Sequence, residues 1–144
     1  MRLCIAVLVA VVALPAQEGS RLRHPDDPVF AQPAPARSHV RLETTAGVVV
    51  IEVVRAWAPH GADRFVALAR HGFYDGAPVF RIRPKTWAQF GIPADPVVAQ
   101  AWRGRTIPDD PFQQSNVRGT VAFAFAVPNG RTTQVFINLR DNRD

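Results

Sequence analysis

The chain has 144 residues, 47% hydrophobic and 20% charged, with a formal net charge of +5, which is the size and balance of one globular domain. Its basic residues are all arginine except Lys85, and they are scattered without a run of four, so a solvated basic surface is the better reading than a nucleic-acid-binding stripe and no nucleic acid is expected as a partner. The one cysteine, Cys4, lies in an N-terminal apolar run; a mature chain without it has no disulfide, no thiol chemistry and no cysteine-ligated metal.

In chain order, Met1-Arg2 precedes the apolar run LCIAVLVAVVAL and then Pro15-Ala16-Gln17. A charged start, a short apolar middle and a small-residue exit read as a secretory signal peptide over residues 1–16, too short to span a bilayer comfortably. The expectation is export to the periplasm or the extracellular space, with no stable membrane span once the signal is removed. Residues 17–38 are polar and contain Pro25, Pro28, Pro33 and Pro35. Proline denies them helix and ladder hydrogen bonds, so they are expected to form a proline-rich linker.

From residue 39 to residue 144 the pattern is that of a folded domain. VRLETT (40–45), the turn Ala46-Gly47 and VVVIEVV (48–54) predict a β-hairpin. Apolar residues on both faces of the second strand predict cover on both sides. Residues 59–71 predict a helix: Pro59 suits its first turn, Phe65, Leu68 and Ala69 form an apolar face, and Gly72 suits the C′ position. Next comes GFYDGAPVFRIRPKTWAQFGI (72–92), a turn and an apolar strand carrying Arg81, with Gln89 eight residues on. Residues 93–118 read as a long functional loop with four prolines, and Asp109-Asp110 as a solvated turn. Strand character returns at 120–125, breaks at Pro128-Asn129-Gly130 and resumes at 134–138.

No G-x-S-x-G elbow, phosphate-binding loop or H-E-x-x-H helix occurs, and His24, His39, His60 and His71 lack ligand spacing, so neither a metal nor a cofactor is expected. What remains is a small β-rich domain with one strand arginine, glutamines and aromatics.

Several pieces in order resemble the cyclophilin-type peptidyl-prolyl cis–trans isomerases: ETTAGVVVIEV, APHGADRFVALARHGFYDG, VFRI, P-x-x-x-x-QFG, PDDPFQQSNVRGTVAFA and PNGRTTQVFIN. The resemblance implies a mainly β fold, an antiparallel β-barrel with a flanking α-helix, and an end near Asp144 that leaves the barrel incomplete at its C-terminus. It implies acceleration of X–Pro isomerisation during folding of exported proteins, with proline-containing polypeptides as substrates. By position, Arg81 matches the family's catalytic arginine, Gln89 the glutamine that helps hold it, and Phe136 the phenylalanine of the proline pocket. Gln134, Ala124, Phe125, Ala126 and Phe80 match substrate-binding positions, and Trp87 is expected to fill the volume lost where Thr86 replaces a pocket phenylalanine. Lys85 and Val127 stand where the family has glycine, and a positive φ at Val127 would strain a β-branched residue. A non-catalytic proline-peptide-binding or chaperone-like module and an inactive truncated remnant are the alternatives.

Overall fold

A computed structural model describes residues 21–143. The signal-peptide expectation for residues 1–16 lies outside them. No described helix is long and apolar enough to cross a membrane.

Among the described residues the protein is mainly β, with antiparallel sheets, two longer helices and two short 3-10 turns. Strands β1 (Arg37–Thr44) and β2 (Gly47–Val54) form the hairpin expected at this place, with Thr44 opposite Gly47 at the turn. Helix α1 (Pro59–Arg70) follows, then β3 (Arg81–Arg83), β4 (Trp87–Phe90), helix α2 (Pro96–Trp102), β5 (Val121–Phe123) and β6 (Val135–Asn138). The last four strands form a second antiparallel sheet in the order β3-β4-β6-β5.

Two apolar clusters share α1. Ile51, Phe65, Phe90 and Val135 form one, against which both sheets pack through residues such as Val40, Leu42, Val121 and Ile137. Leu22, Phe30, Ala67, Leu68, Phe73, Val98 and Trp102 form the other. Tyr74 borders both clusters, and its hydroxyl donates to the Thr133 carbonyl at 3.3 Å.

The end of α1 shows why the chain turns where it does. Gly72 takes a φ of 75°, the left-handed conformation glycine adopts without a Cβ penalty. The Phe73 N–H then donates to Leu68 O at 3.0 Å and the Gly72 N–H to Ala69 O at 3.1 Å. These are the paired closing bonds of a Schellman end, and the buried Phe73 and Leu68 supply its apolar contact.

Three sequence expectations change. The proline-rich stretch 17–38 is no loose linker over its described part. Leu22, Phe30 and Ala34 are buried, and β1 already begins at Arg37. The Trp102 indole donates to Leu22 O at 2.7 Å, and the Phe30 ring meets Trp102 edge-on at 4.9 Å. The stretch even forms a short 3-10 helix, Pro28–Ala31, with proline in its first turn, and proline did not prevent burial of three widely spaced apolar side chains. The 93–118 stretch is likewise more than loop, because Asp95 caps α2 by accepting from Val97 N at 2.8 Å, with Pro96 in the first turn. Finally, β2 is not covered on both sides: Val48, Val49 and Val50 are exposed, Ile51 alone in the strand is buried, and Val53 and Val54 are half-buried.

Asp109-Asp110 is also corrected. Ala58, the residue before α1, offers no side-chain cap, and Asp110 supplies it from fifty positions away. Its carboxylate accepts from His60 N at 2.8 Å and Gly61 N at 2.9 Å and meets Arg131 Nη1 at 3.0 Å. Arg131 also pairs with Asp109 at 3.1 Å, in a geometry that leaves its Nε–H without a hydrogen bond. Burial raises the Asp110 pKa, but the Gly61 and His60 N–H groups and then Arg131 outweigh it and hold the carboxyl below the usual range. A carboxyl that titrates lower when folded contributes fully above its unfolded value of about 3.9, and loses that contribution as pH falls through the folded one. Asp110→Asn is therefore expected to cost about 2 kcal/mol at neutral pH in urea unfolding, with the gap from the parent chain shrinking in acid.

Candidate functional site

The register of the second sheet assembles the site. Arg81 lies opposite Gln89, Gln89 opposite Phe136, and Phe136 opposite Ala122. Directly opposed residues of antiparallel strands share a face, so these four form one row across β3, β4, β6 and β5. A second row, two residues along, runs Arg83, Trp87, Asn138. Alternate residues Ile82, Ala88, Ile137 and Val121 take the other face, where Val121 and Ile137 pack toward the core. One sheet thus offers a buried apolar side and a polar-aromatic side.

Over the polar-aromatic side lies an open cleft of about 510 Å³. Trp87, Gln89, Ala124, Phe125 and Phe136 line it, as do Arg83, Thr86, Ala122, Phe123 and residues of the strand ends. The Trp87 and Phe136 rings stand 6.4 Å apart and form its apolar part.

Gln89 is buried and donates from Nε2 to Gln134 Oε1 at 2.9 Å. It therefore anchors the residue before β6 rather than Arg81. The Arg81 guanidinium instead lies 5.0 Å from the centroid of the Trp87 ring, a cation–π contact that sets its direction while leaving its N–H groups exposed. Trp87, expected only to fill volume, is thus the arginine's platform.

The remaining expected residues divide. The Ala124 N–H donates to Gln134 O at 2.9 Å, continuing the β5–β6 pairing into the cleft wall. Phe125 is 60% exposed on the rim, an unfilled apolar face beside the cleft. Phe80 and Ala126 are exposed and do not line the cleft. Phe80 is instead tied by its backbone, donating to Gln89 O at 3.1 Å.

Both glycine replacements resolve in tight turns. Thr86 N–H donates to Arg83 O at 3.0 Å around Pro84-Lys85, and Lys85 has φ 58°. Proline followed by a left-handed residue is a type II turn, which favours glycine at the place Lys85 occupies. Lys85→Gly is expected to raise stability by about 0.5 kcal/mol, because relief of left-handed strain outweighs the added freedom of the unfolded chain; equilibrium unfolding midpoints measure this. Val127 carries no such strain. The positive φ falls instead on Asn129, at 55°, in a turn closed by Gly130 N–H to Val127 O at 3.0 Å.

A polar cluster at the far end of the cleft was missed. Asn138 is 1% exposed; its Nδ2 donates to Thr120 Oγ1 at 2.9 Å, and its Oδ1 accepts from Asn142 Nδ2 at 2.8 Å. Asn142 also donates to Thr86 O at 2.9 Å. Period-two alternation from Phe136 places Asn138 on the same face, a signal available in the strand itself. Asn116, which accepts from Asn138 Nδ2 at 3.3 Å, and Asn142 come from irregular chain, where no periodicity points to them.

A model of the cyclophilin type peptidyl-prolyl cis-trans isomerase family matches residues 39–144. The chain belongs to this family. Among similar proteins, the peptidyl-prolyl cis-trans isomerase-like 3 of Neurospora crassa is 34% identical over 106 residues, 68% of this chain and 64% of that protein. The spliceosome-associated protein CWC27 homolog of Xenopus laevis is 31% identical over 118 residues, 77% of this chain but 24% of the relative. The peptidyl-prolyl cis-trans isomerase ppi1 of Schizosaccharomyces pombe is 30% identical over 109 residues, 71% of this chain and 68% of that protein. The cyclophilin match thus spans less than two thirds of the first two relatives. The family match over residues 39–144 covers the cleft and all of both sheets except the first two residues of β1.

Proposed function

We propose that this cyclophilin-type domain accelerates cis–trans isomerisation of X–Pro bonds, with Arg81 as the catalytic group. The observation that carries the reading is the cross-strand row Arg81, Gln89, Phe136: Gln89 and Phe136 line the cleft with Trp87, and Arg81 stands at its edge over the Trp87 ring.

The chemistry needs little apparatus. Rotation about an X–Pro bond is slow because it breaks amide resonance, at a cost of about 18–20 kcal/mol. In the twisted state the prolyl nitrogen pyramidalises and regains its lone pair. A guanidinium donating a hydrogen bond there stabilises the twisted state more than either planar isomer. A barrier lowered by about 7 kcal/mol gives roughly five decades of rate. Phe136 with Trp87 holds the ring, Gln89 fixes Gln134, and Ala124 presents backbone to the peptide.

The substrates we propose are exported proteins. The support is the sequence pattern of residues 1–16, a charged start followed by an apolar run. The second reading is a proline-peptide-binding module without catalysis. It is favoured by the placement of Arg81, which rests on Trp87 at the cleft's edge instead of lining it. NMR exchange on a proline-containing tetrapeptide decides between them. Faster cis–trans exchange with catalytic amounts of protein supports isomerisation, and peptide binding without faster exchange overturns it in favour of the module.

A further inference from the structure

Two arginines of the cleft have no role in the reading above. Arg83, in the second cross-strand row, and Arg140, just beyond β6, both line the cleft with Trp87 and Asn138. No residue lining the cleft is acidic. Among the described residues neither arginine forms an ion pair, whereas Arg37, Arg55, Arg105 and Arg131 each find a carboxylate. Asp141, the acid next to Arg140 in sequence, is committed elsewhere: it accepts from Arg118 N–H and pairs with Arg143.

Arg140 is also oriented. Its Nε donates to Asn142 Oδ1 at 3.0 Å, and Asn142 is itself tied to Asn138 and to Thr86 O. That bond fixes the stem of the guanidinium and leaves its two terminal nitrogens without partners among the described residues. The second row stands two strand residues from the Arg81–Gln89–Phe136 row, or about 7 Å. An extended peptide covers that distance in about two residues.

We infer that the cleft selects prolyl peptides carrying an acidic side chain within about two residues of the proline, read by Arg83 and Arg140. Two unpaired guanidiniums at a cleft wall without a carboxylate favour an anion on the incoming chain and disfavour a cation. The inference deepens the isomerase reading and rests on it for the placement of the proline.

The experiment compares two pairs of peptides, each pair differing at one position: glutamate or glutamine two residues before the proline, and glutamate or glutamine two residues after it. Dissociation constants come from tryptophan fluorescence, and turnover from NMR exchange. At one of the two positions the glutamate peptide is expected to bind about 5–10-fold tighter than its glutamine twin at low salt. The gain is expected to collapse in 0.5 M salt and in the Arg83→Gln/Arg140→Gln double variant. Both side chains are exposed, so the double variant is expected to fold, which circular dichroism checks. Equal binding of both members of each pair, or a glutamate preference that survives in the double variant, overturns the inference. Turnover without a charge preference leaves the isomerase reading standing and the selectivity refuted. A charge preference without turnover does the reverse, and failure of every peptide to bind overturns both.

Discussion

Arg81→Ala is expected to lower kcat/KM on a proline-containing tetrapeptide by about 10²–10³, or about 2.7–4 kcal/mol, the loss seen when one preorganised donor is taken from a developing charge. Stability is expected to change by no more than about 1 kcal/mol. The side chain is exposed, and its one described contact is the cation–π stack on Trp87. This separation makes the test sharp, because a variant that melts with the parent chain yet turns over slowly has lost chemistry and not fold. Arg81→Lys sharpens it further. Lysine keeps the charge but neither the planar fork nor the flat stack on the indole, so a rate nearer that of alanine than of the parent assigns catalysis to guanidinium geometry. An unchanged rate in Arg81→Ala would remove the residue from the mechanism.

What the sequence made legible was local. The hairpin over β1 and β2 followed from two β-branched runs about a glycine turn, and α1 from its apolar period, its first-turn Pro59 and its closing Gly72. Each signal sits within a few residues of the structure it specifies. Features requiring distant partners stayed hidden. Asp110 looks like a solvated turn until His60 and Gly61, fifty positions away, are seen to donate to it. Leu22, Phe30 and Ala34 look like linker until Trp102 and α1 are brought against them. The site divides the same way. Arg81, Gln89 and Phe136 were found through the family's motifs, because a row across three strands depends on register, which no single segment encodes. Their supports were misassigned for the same reason: that Trp87 carries Arg81, and that Gln89 binds Gln134, are facts of side-chain direction across strands.

The largest loss of stability is expected from Gly91→Ala. Gly91 follows β4 with φ 110°, and a Cβ built there would lie 2.5 Å from Thr133 O and 2.8 Å from Gln134 Cα. Both neighbours are backbone, so no side chain can swing aside. The approach is locked from the other strand too, since Thr133 Oγ1 donates to Gly91 O at 2.9 Å. Left-handed strain of about 1–2 kcal/mol adds to an overpacking cost of about 1–3 kcal/mol, so urea unfolding is expected to show a loss of about 3–4 kcal/mol. Gly104→Ala is the matched control. Its φ of 75° is also positive, but its added Cβ meets nothing within 4 Å, and it is expected to lose only the strain. The difference between the two variants measures the close approach of β4 and β6 separately from backbone conformation. That approach has a consequence for the cleft. Relief requires Gln134 to move away from Gly91, and Gln134 is bonded to Gln89 through its side chain and to Ala124 through its carbonyl. The folded fraction of Gly91→Ala is therefore expected to bind proline peptides more weakly even where its unfolding is corrected for. Parental affinity in that fraction would show that the cleft wall does not depend on the packing of Gly91 against Gln134.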